Sequence, residues 1–73
     1  MTEHNGHHCW NCWNVSLWIG NDEGLYRAAL EAKRAHKTIR RAAISLMEDL
    51  PKRTPDGAKY TFNAVYRAIA GLE

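Results

Sequence analysis

Apolar residues recur at helical spacing in four segments of this chain, and no segment alternates with period two for long enough to predict a strand. The first segment runs from Asn11 to Ile19, where Asn11 is placed to cap a helix and Gly20 to end it. Its apolar positions are Trp13, Val15, Leu17, Trp18 and Ile19. Both tryptophans share one face with Leu17, and we expect that face to be buried because large aromatic side chains dominate small cores.

A second helix is predicted from about Asp22 to Ala35. Asn21, Asp22 and Glu23 favour a helix start, because they offer a capping side chain and two carboxylates at the positive end of the helix dipole. The predicted buried stripe, with two residues that widen it, consists of Leu25, Tyr26, Ala28, Ala29, Leu30, Ala32 and Ala35.

A third helix follows and stops at Pro51, since the residue before a proline is pushed out of the helical region. Its apolar positions are Ile39, Ala42, Ala43, Leu46, Met47 and Leu50. This stripe continues that of the second helix almost in phase, so one helix over 22–50 is an alternative. Such a helix would span ~40 Å, longer than a domain of this size is wide. We therefore predict a break at His36-Lys37-Thr38, with Thr38 as the new cap.

The last helix is predicted from Phe62 to about Ala70, after a connector over Lys52–Lys59. Thr54-Pro55-Asp56-Gly57 has proline and glycine where a turn requires them. Thr61 caps the helix, and Tyr60 and Val65 fit a hydrophobic staple across that cap. The predicted buried face consists of Phe62, Val65, Tyr66 and Ile69. The fold class is therefore all-α: a small single domain, 1–73, of about four helices with an irregular polar N-terminal arm over 1–10.

A chain of 73 residues forms one domain with a marginal core. Domains of this size often depend on a disulfide, a metal or a partner subunit, so a homodimer is one expectation. The N-terminus lacks the apolar region of a signal peptide, and no apolar run approaches the ~20 residues of a membrane span. We expect a cytoplasmic protein that does not engage a membrane.

Positive charge is concentrated in the middle of the chain, although the formal net charge is only +2. In the span 27–41, only Glu31 opposes a set of six cations: Arg27, Lys33, Arg34, Lys37, Arg40 and Arg41. Such a face can be a solvated helix surface, or it can bind nucleic acid or an acidic protein surface. In a helix-turn-helix, Thr38, Arg40 and Arg41 would lead the second helix into the major groove. Glu48 and Asp49 would repel phosphate further along.

The run His7-His8-Cys9-Trp10-Asn11-Cys12-Trp13 combines two cysteines with histidines. Cys9 and Cys12 have the spacing of half a structural Zn²⁺ site, which needs four cysteine or histidine ligands. The candidates for the other half are His4, His7 and His8 of the arm, with His7 preferred, and His36, which would tie the arm to the helices. The alternative is that both cysteines are small buried apolar residues. Trp10 lies off the predicted stripe, and an exposed tryptophan is typical of an interface hot spot.

Catalytic arrangements are missing from the sequence: it has no phosphate-binding glycine loop, no paired catalytic carboxylates and no nucleophile elbow. The cysteines lack an acidic residue nearby that could orient a histidine base. We therefore expect binding, and not an enzyme.

Two blocks of sequence resemble a group of short proteins from bacteriophages and prophages. The first comprises Asn5-Gly6 and the stretch WNVSLWIGNDEGLY from Trp13 to Tyr26; the second is Thr54-Pro55-Asp56-Gly57. Residues 7–12 depart from the commoner pattern of the group, which weakens the zinc hypothesis. Small phage proteins of this kind commonly bind host machinery. The resemblance implies a phage-encoded inhibitor of a host defence system (anti-CRISPR or similar) that binds a host protein complex. The alternative is a small helical DNA-binding regulator that uses the basic 27–41 face.

Overall fold

The computed structural model describes residues 10–72, and four helices make up most of this part of the chain. They are α1 (Trp10–Asn21), α2 (Glu23–Ala35), α3 (Ile39–Met47) and α4 (Phe62–Ala70). The described residues contain no strand, and their one antiparallel bridge joins Arg53 to Lys59. The predicted all-α fold is confirmed. None of these four helices is long and apolar enough to cross a membrane.

Side-chain caps begin the three later helices, as the sequence predicts. Each cap accepts a hydrogen bond from a backbone N–H in the first turn: Asp22 from Leu25 (3.0 Å), Thr38 from Arg41 (3.1 Å) and Thr61 from Ala64 (3.2 Å). The break between α2 and α3 therefore falls at residues 36–38, and the alternative of one long helix is wrong.

The bounds predicted for α1 are wrong at both ends. The helix begins at Trp10, a residue that was predicted to belong to the N-terminal arm. Asn11 therefore lies inside the helix and does not cap it. Gly20 does not end the helix either, because the Asp22 N–H still donates to the Trp18 carbonyl (2.9 Å). The chain turns into α2 directly at Asp22, so α1 and α2 are separated by a single residue.

The core lies where α1, α2, α3 and α4 meet, and small side chains supply much of it. Alanine is frequent among its members, which lets the helices approach closely. The buried apolar residues are Cys12, Val15, Ile19, Ala29, Ala42, Ala43, Leu46, Ala58, Tyr60, Ala64, Val65, Ala68 and Ile69. The residues of the stripe predicted for α3 do pack in or against this cluster, with Ile39, Met47 and Leu50 partly buried. The predicted end of the helix at Pro51 is wrong, because α3 ends at Met47 and Leu50 lies beyond it.

Aromatic side chains lie at the edge of this core, contrary to prediction. Trp13 and Trp18 are only half-buried and Leu17 is exposed, because α1 directs Val15 and Ile19 inward. The same correction applies to α2 and α4, where the aromatic residues predicted to be buried are exposed: Tyr26, Phe62 and Tyr66. Tyr60 is the exception among the described aromatic residues, since its side chain is buried in the core.

Candidate functional site

Asn14 is buried in α1 and fixes this helix to the turn before α4. Its Nδ2 donates to Asp56 Oδ2 (2.9 Å), and its Oδ1 accepts from Thr54 Oγ1 (2.6 Å). Thr54 is also buried, and its hydroxyl accepts from the Ala58 N–H (3.1 Å). Every polar atom of the Asn14 side-chain amide group thus has a partner, as a buried amide requires.

Two further side chains of α1 bind the same turn. Trp18 Nε1 donates to Asp56 Oδ2 (2.9 Å), and Asn11 both donates to the Lys59 carbonyl and accepts from the Lys59 N–H (2.8 Å each). Positions 11, 14 and 18 lie on one face of a helix. We call these contacts the α1–loop network; its members are Asn11, Asn14, Trp18, Thr54, Asp56 and Lys59.

The turn that meets this network has the predicted chemistry. The Gly57 N–H donates to the Thr54 carbonyl (2.9 Å), which closes a turn around Pro55 and Asp56. Gly57 then has a φ of 96°, in the left-handed region that favours glycine. Arg53 Nη1 donates to the Gly57 carbonyl (3.0 Å), so the arginine at the start of the turn holds its end. The sequence stretches 13–26 and 54–57 are therefore in direct contact.

Hydrogen bonds from Asn14 and then Trp18 lower the pKa of Asp56, and they outweigh the slight desolvation of the carboxyl. A carboxyl whose pKa is lower in the folded state stabilises the fold above its unfolded pKa of about 3.9. That stabilisation is lost as the pH falls through the lower, folded pKa. We expect the midpoint of urea unfolding to fall over this acid range.

Asp56→Asn should remove that part of the acid dependence, because an amide does not titrate. The measurement is the urea midpoint from pH 7 to pH 2 for both proteins. Asp49→Asn is the matched control, since Asp49 is exposed and makes no side-chain hydrogen bond with the described residues. An acid profile that is the same in all three proteins would contradict the assigned role of Asp56.

The outward side of α1 carries a second set of apolar residues. Trp10 (40% exposed), Trp13 (half-buried) and Leu17 (36% exposed) lie at positions i, i+3 and i+7, opposite Val15 and Ile19. We call these three residues the outer face of α1. No residue of α1 is charged. Trp10 is exposed, but it lies on the same side of α1 as Trp13 and Leu17, and the prediction that it lies off their stripe is wrong.

A second exposed aromatic pair lies on α4. The rings of Phe62 and Tyr66 are 5.7 Å apart and inclined at 48°. One turn of helix separates the two residues, so the contact is local and orients both rings on the surface.

Tyr60, by contrast, is a buried aromatic residue. Burial raises the pKa of its phenol, and the negative charge of the Asp22 carboxylate raises that pKa further. The phenol therefore stays neutral in the core.

The basic 27–41 span does not form one continuous cationic face. Arg27 forms an ion pair with Glu23 (2.7 Å), and both side chains are largely exposed. Lys33 is half-buried and donates to the Leu72 carbonyl, which attaches the end of the described chain to α2. Four cations of the span are exposed and form no ion pair with a described residue: Arg34, Lys37, Arg40 and Arg41. We call these four residues the basic corner, since they surround the junction of α2 and α3.

An open depression of about 700 Å³ lies beside the basic corner. Its lining includes Arg40, Arg41 and the half-buried His36, together with Ile44 and Glu48 at the α3 side. Arg27, predicted to act with these residues, lies two turns back along α2 and is not among the lining residues.

The predicted zinc ligands are only partly within the described chain. His7 and Cys9 lie outside residues 10–72. Cys12 is buried in the core cluster, the environment of a small apolar residue, and His36 follows the last residue of α2. No group of three potential metal ligands occurs among residues 10–72. The zinc site stays a prediction.

Sequence reasoning missed Asn14, Thr54 and Asp56 as a set. The available signal was a polar stripe, Asn11 and Asn14, on a helix that otherwise carries few polar side chains. Such residues need partners when buried, and a turn rich in threonine and aspartate can supply them.

Comparisons with curated proteins and with solved structures find no match to this chain. A family scan matches residues 1–71, nearly the whole chain. The protein is therefore a member of DUF7249, a family of unknown function.

Proposed function

We propose that this protein is a small, phage-encoded binding protein that inhibits a host defence system, anti-CRISPR or similar, without catalysis. Its contact with the host would be the outer face of α1, seated in an apolar groove of a host protein. The observation that carries the binding proposal is the composition of α1, which is apolar on its inward and outward sides and has no charged residue.

The spacing of the outer face fits one mode of protein recognition. A helix that binds in a groove presents apolar anchors at positions i, i+3 or i+4, and i+7. Trp10, Trp13 and Leu17 have this spacing. Tryptophan is also the residue type most enriched at hot spots, because one side chain buries a large area when it fills a pocket.

The helix is held rigidly, which favours binding by its outer face. Val15 and Ile19 are buried on the inward side, while Asn14 and Trp18 are held by Asp56. A helix that is already fixed on two sides loses little conformational freedom when a third side binds. The absence of charge on α1 disfavours phosphate as the ligand of this face. Host defence as the target rests on the resemblance to phage proteins.

Leu17→Glu should abolish inhibition, since a carboxylate at the centre of an apolar interface would be desolvated without a partner. Ile44→Glu is the matched control, because Ile44 is another exposed aliphatic residue but lies on α3. The measurement is plaque formation by a sensitive phage on hosts that carry single defence systems and express each protein. We expect protection by the wild type and by Ile44→Glu, and none by Leu17→Glu.

Circular dichroism would verify that both variants are folded, and light scattering would give their oligomeric state. The proposal is overturned if the wild type protects against no defence system, or if Leu17→Glu protects as well as the wild type. A dimer that dissociates on Leu17→Glu would instead assign the outer face to a second copy of this chain.

A further inference from the structure

We propose that the basic corner binds the phosphate backbone of a nucleic acid. The corner is defined by Arg34, Lys37, Arg40 and Arg41, and the span 34–41 contains no acidic residue. This inference is independent of the function proposed for α1.

All four cations are available for a ligand. Each is exposed, and none has an ion pair or a side-chain hydrogen bond to another described residue. Three other cations are engaged: Arg27 with Glu23, Lys33 with the Leu72 carbonyl and Arg53 with the Gly57 carbonyl. The structure thus reduces the six cations of the 27–41 span to four that can meet an external anion.

The fold spreads these cations over two helices and the turn between them. Arg34 lies in the last turn of α2, Lys37 in the turn, and Arg40 and Arg41 in the first turn of α3. The opposite side of α3 is occupied, because Ala42, Ala43 and Leu46 are buried where α3 packs on α2 and α4. The four exposed cations therefore lie at several points along the bend between α2 and α3, and α3 itself is anchored by its buried side.

The composition of the surface favours a nucleic acid over an acidic protein. Protein interfaces have apolar or aromatic centres, but the one large apolar residue exposed here is Ile44 (48%), while the other exposed large apolar residues lie on α1, α2 and α4. Interfaces with nucleic acid are more polar and far more positive. Three of the four cations are arginines, whose planar donors bind phosphate in pairs. Glu48 limits the surface on one side, since it lines the same depression as Arg40 and Arg41.

Four phosphate contacts predict a measurable dependence on salt. The logarithm of the association constant should fall linearly with the logarithm of the salt concentration. We expect a slope of about −3.6 for a duplex and about −2.8 for a single strand. Between about 50 and 200 mM salt, these slopes weaken binding by roughly 150-fold and 50-fold, respectively. The slope measured with each nucleic acid therefore reports the number of phosphates contacted, and the duplex and the single strand should give different slopes.

The test is fluorescence anisotropy of the full chain with labelled DNA of about 20 base pairs, roughly two duplex turns. A single strand of equal length forms the second arm. The corner variant is Arg40→Glu with Arg41→Glu, and the control is Lys52→Glu with Arg67→Glu. Both pairs are exposed and change the net charge equally, but Lys52 and Arg67 lie outside the corner. We expect the corner variant to lose at least 10-fold in affinity at low salt, and the control less than 3-fold.

Leu17→Glu should bind DNA like the wild type, which separates this surface from the outer face of α1. The proposal is overturned if neither duplex nor single strand binds at low salt, or if the corner and control pairs lose affinity equally. Equal affinity for polyglutamate of matched charge would also overturn it, because that result would assign the corner to acidic protein surfaces.

Discussion

Ile19→Ala is expected to lower the free energy of unfolding by about 2–5 kcal/mol, the usual cost of removing a buried isoleucine side chain. Ile19 is fully buried and lies on the inward side of α1. A domain of this size has a total stability of about 4–11 kcal/mol, at 0.05–0.15 kcal/mol per residue. The variant should therefore melt at a much lower temperature, which calorimetry or circular dichroism can measure.

Leu17→Ala provides the matched control within the same helix. Leu17 lies two residues away, on the outward side, and is 36% exposed. Truncating it removes less buried surface and leaves no internal cavity, so we expect a loss of about 1 kcal/mol or less. Equal losses at both positions would show that α1 is not oriented as described. The same substitution should nonetheless weaken binding by the outer face, which separates stability from function at this position.

Asn14→Leu is expected to destabilise the protein by about 1–3 kcal/mol, although leucine is apolar and the site is buried. The substitution leaves the buried Thr54 hydroxyl without its acceptor and removes one of two donors to the Asp56 carboxylate. A buried polar group without a partner costs about 1–3 kcal/mol, and here that group is the Thr54 hydroxyl. Chemical denaturation at pH 7 gives the value directly.

A double-mutant cycle tests the contact between Asn14 and Thr54. Thr54→Val removes the hydroxyl, so adding it to Asn14→Leu should cost less than the sum of the two single changes. Asn63→Leu is the control, because Asn63 is exposed on α4; its effect should stay within about 0.5 kcal/mol. Strictly additive losses would contradict a direct hydrogen bond between the two buried side chains.

Helix boundaries set by local chemistry could be predicted from the sequence. Asp22, Thr38 and Thr61 each cap a helix within three residues of the N–H they accept from, so the signal lies in adjacent sequence. The turn at Gly57 is local in the same sense. The break at residues 36–38 was identified because a continuous helix would have exceeded the width of the domain.

The inward side of α1 could not be predicted, because α1 has apolar residues on both its inward and its outward side. When apolar residues occupy opposite sides of a helix, their spacing no longer indicates which side is buried. Which side of α1 is buried depends on partners far along the chain, since Asp56 holds Trp18 at the edge of the core and Lys59 holds Asn11. Likewise, the count of cations over 27–41 could not reveal that Lys33 donates to the carbonyl of Leu72, 39 residues away.

The hydrogen bond between Asn14 and Asp56 joins residues that are 42 positions apart. A ribosome adding about 5–20 residues per second needs about 2–8 s to synthesise that interval. During this time α1 has neither its core partners on α4 nor the turn that satisfies Asn14. The nascent chain thus presents an uncharged, tryptophan-rich segment to chaperones and to other nascent chains. Of the four described helices, α1 is translated first, yet its contacts with α4 form only after the last of these helices has been made.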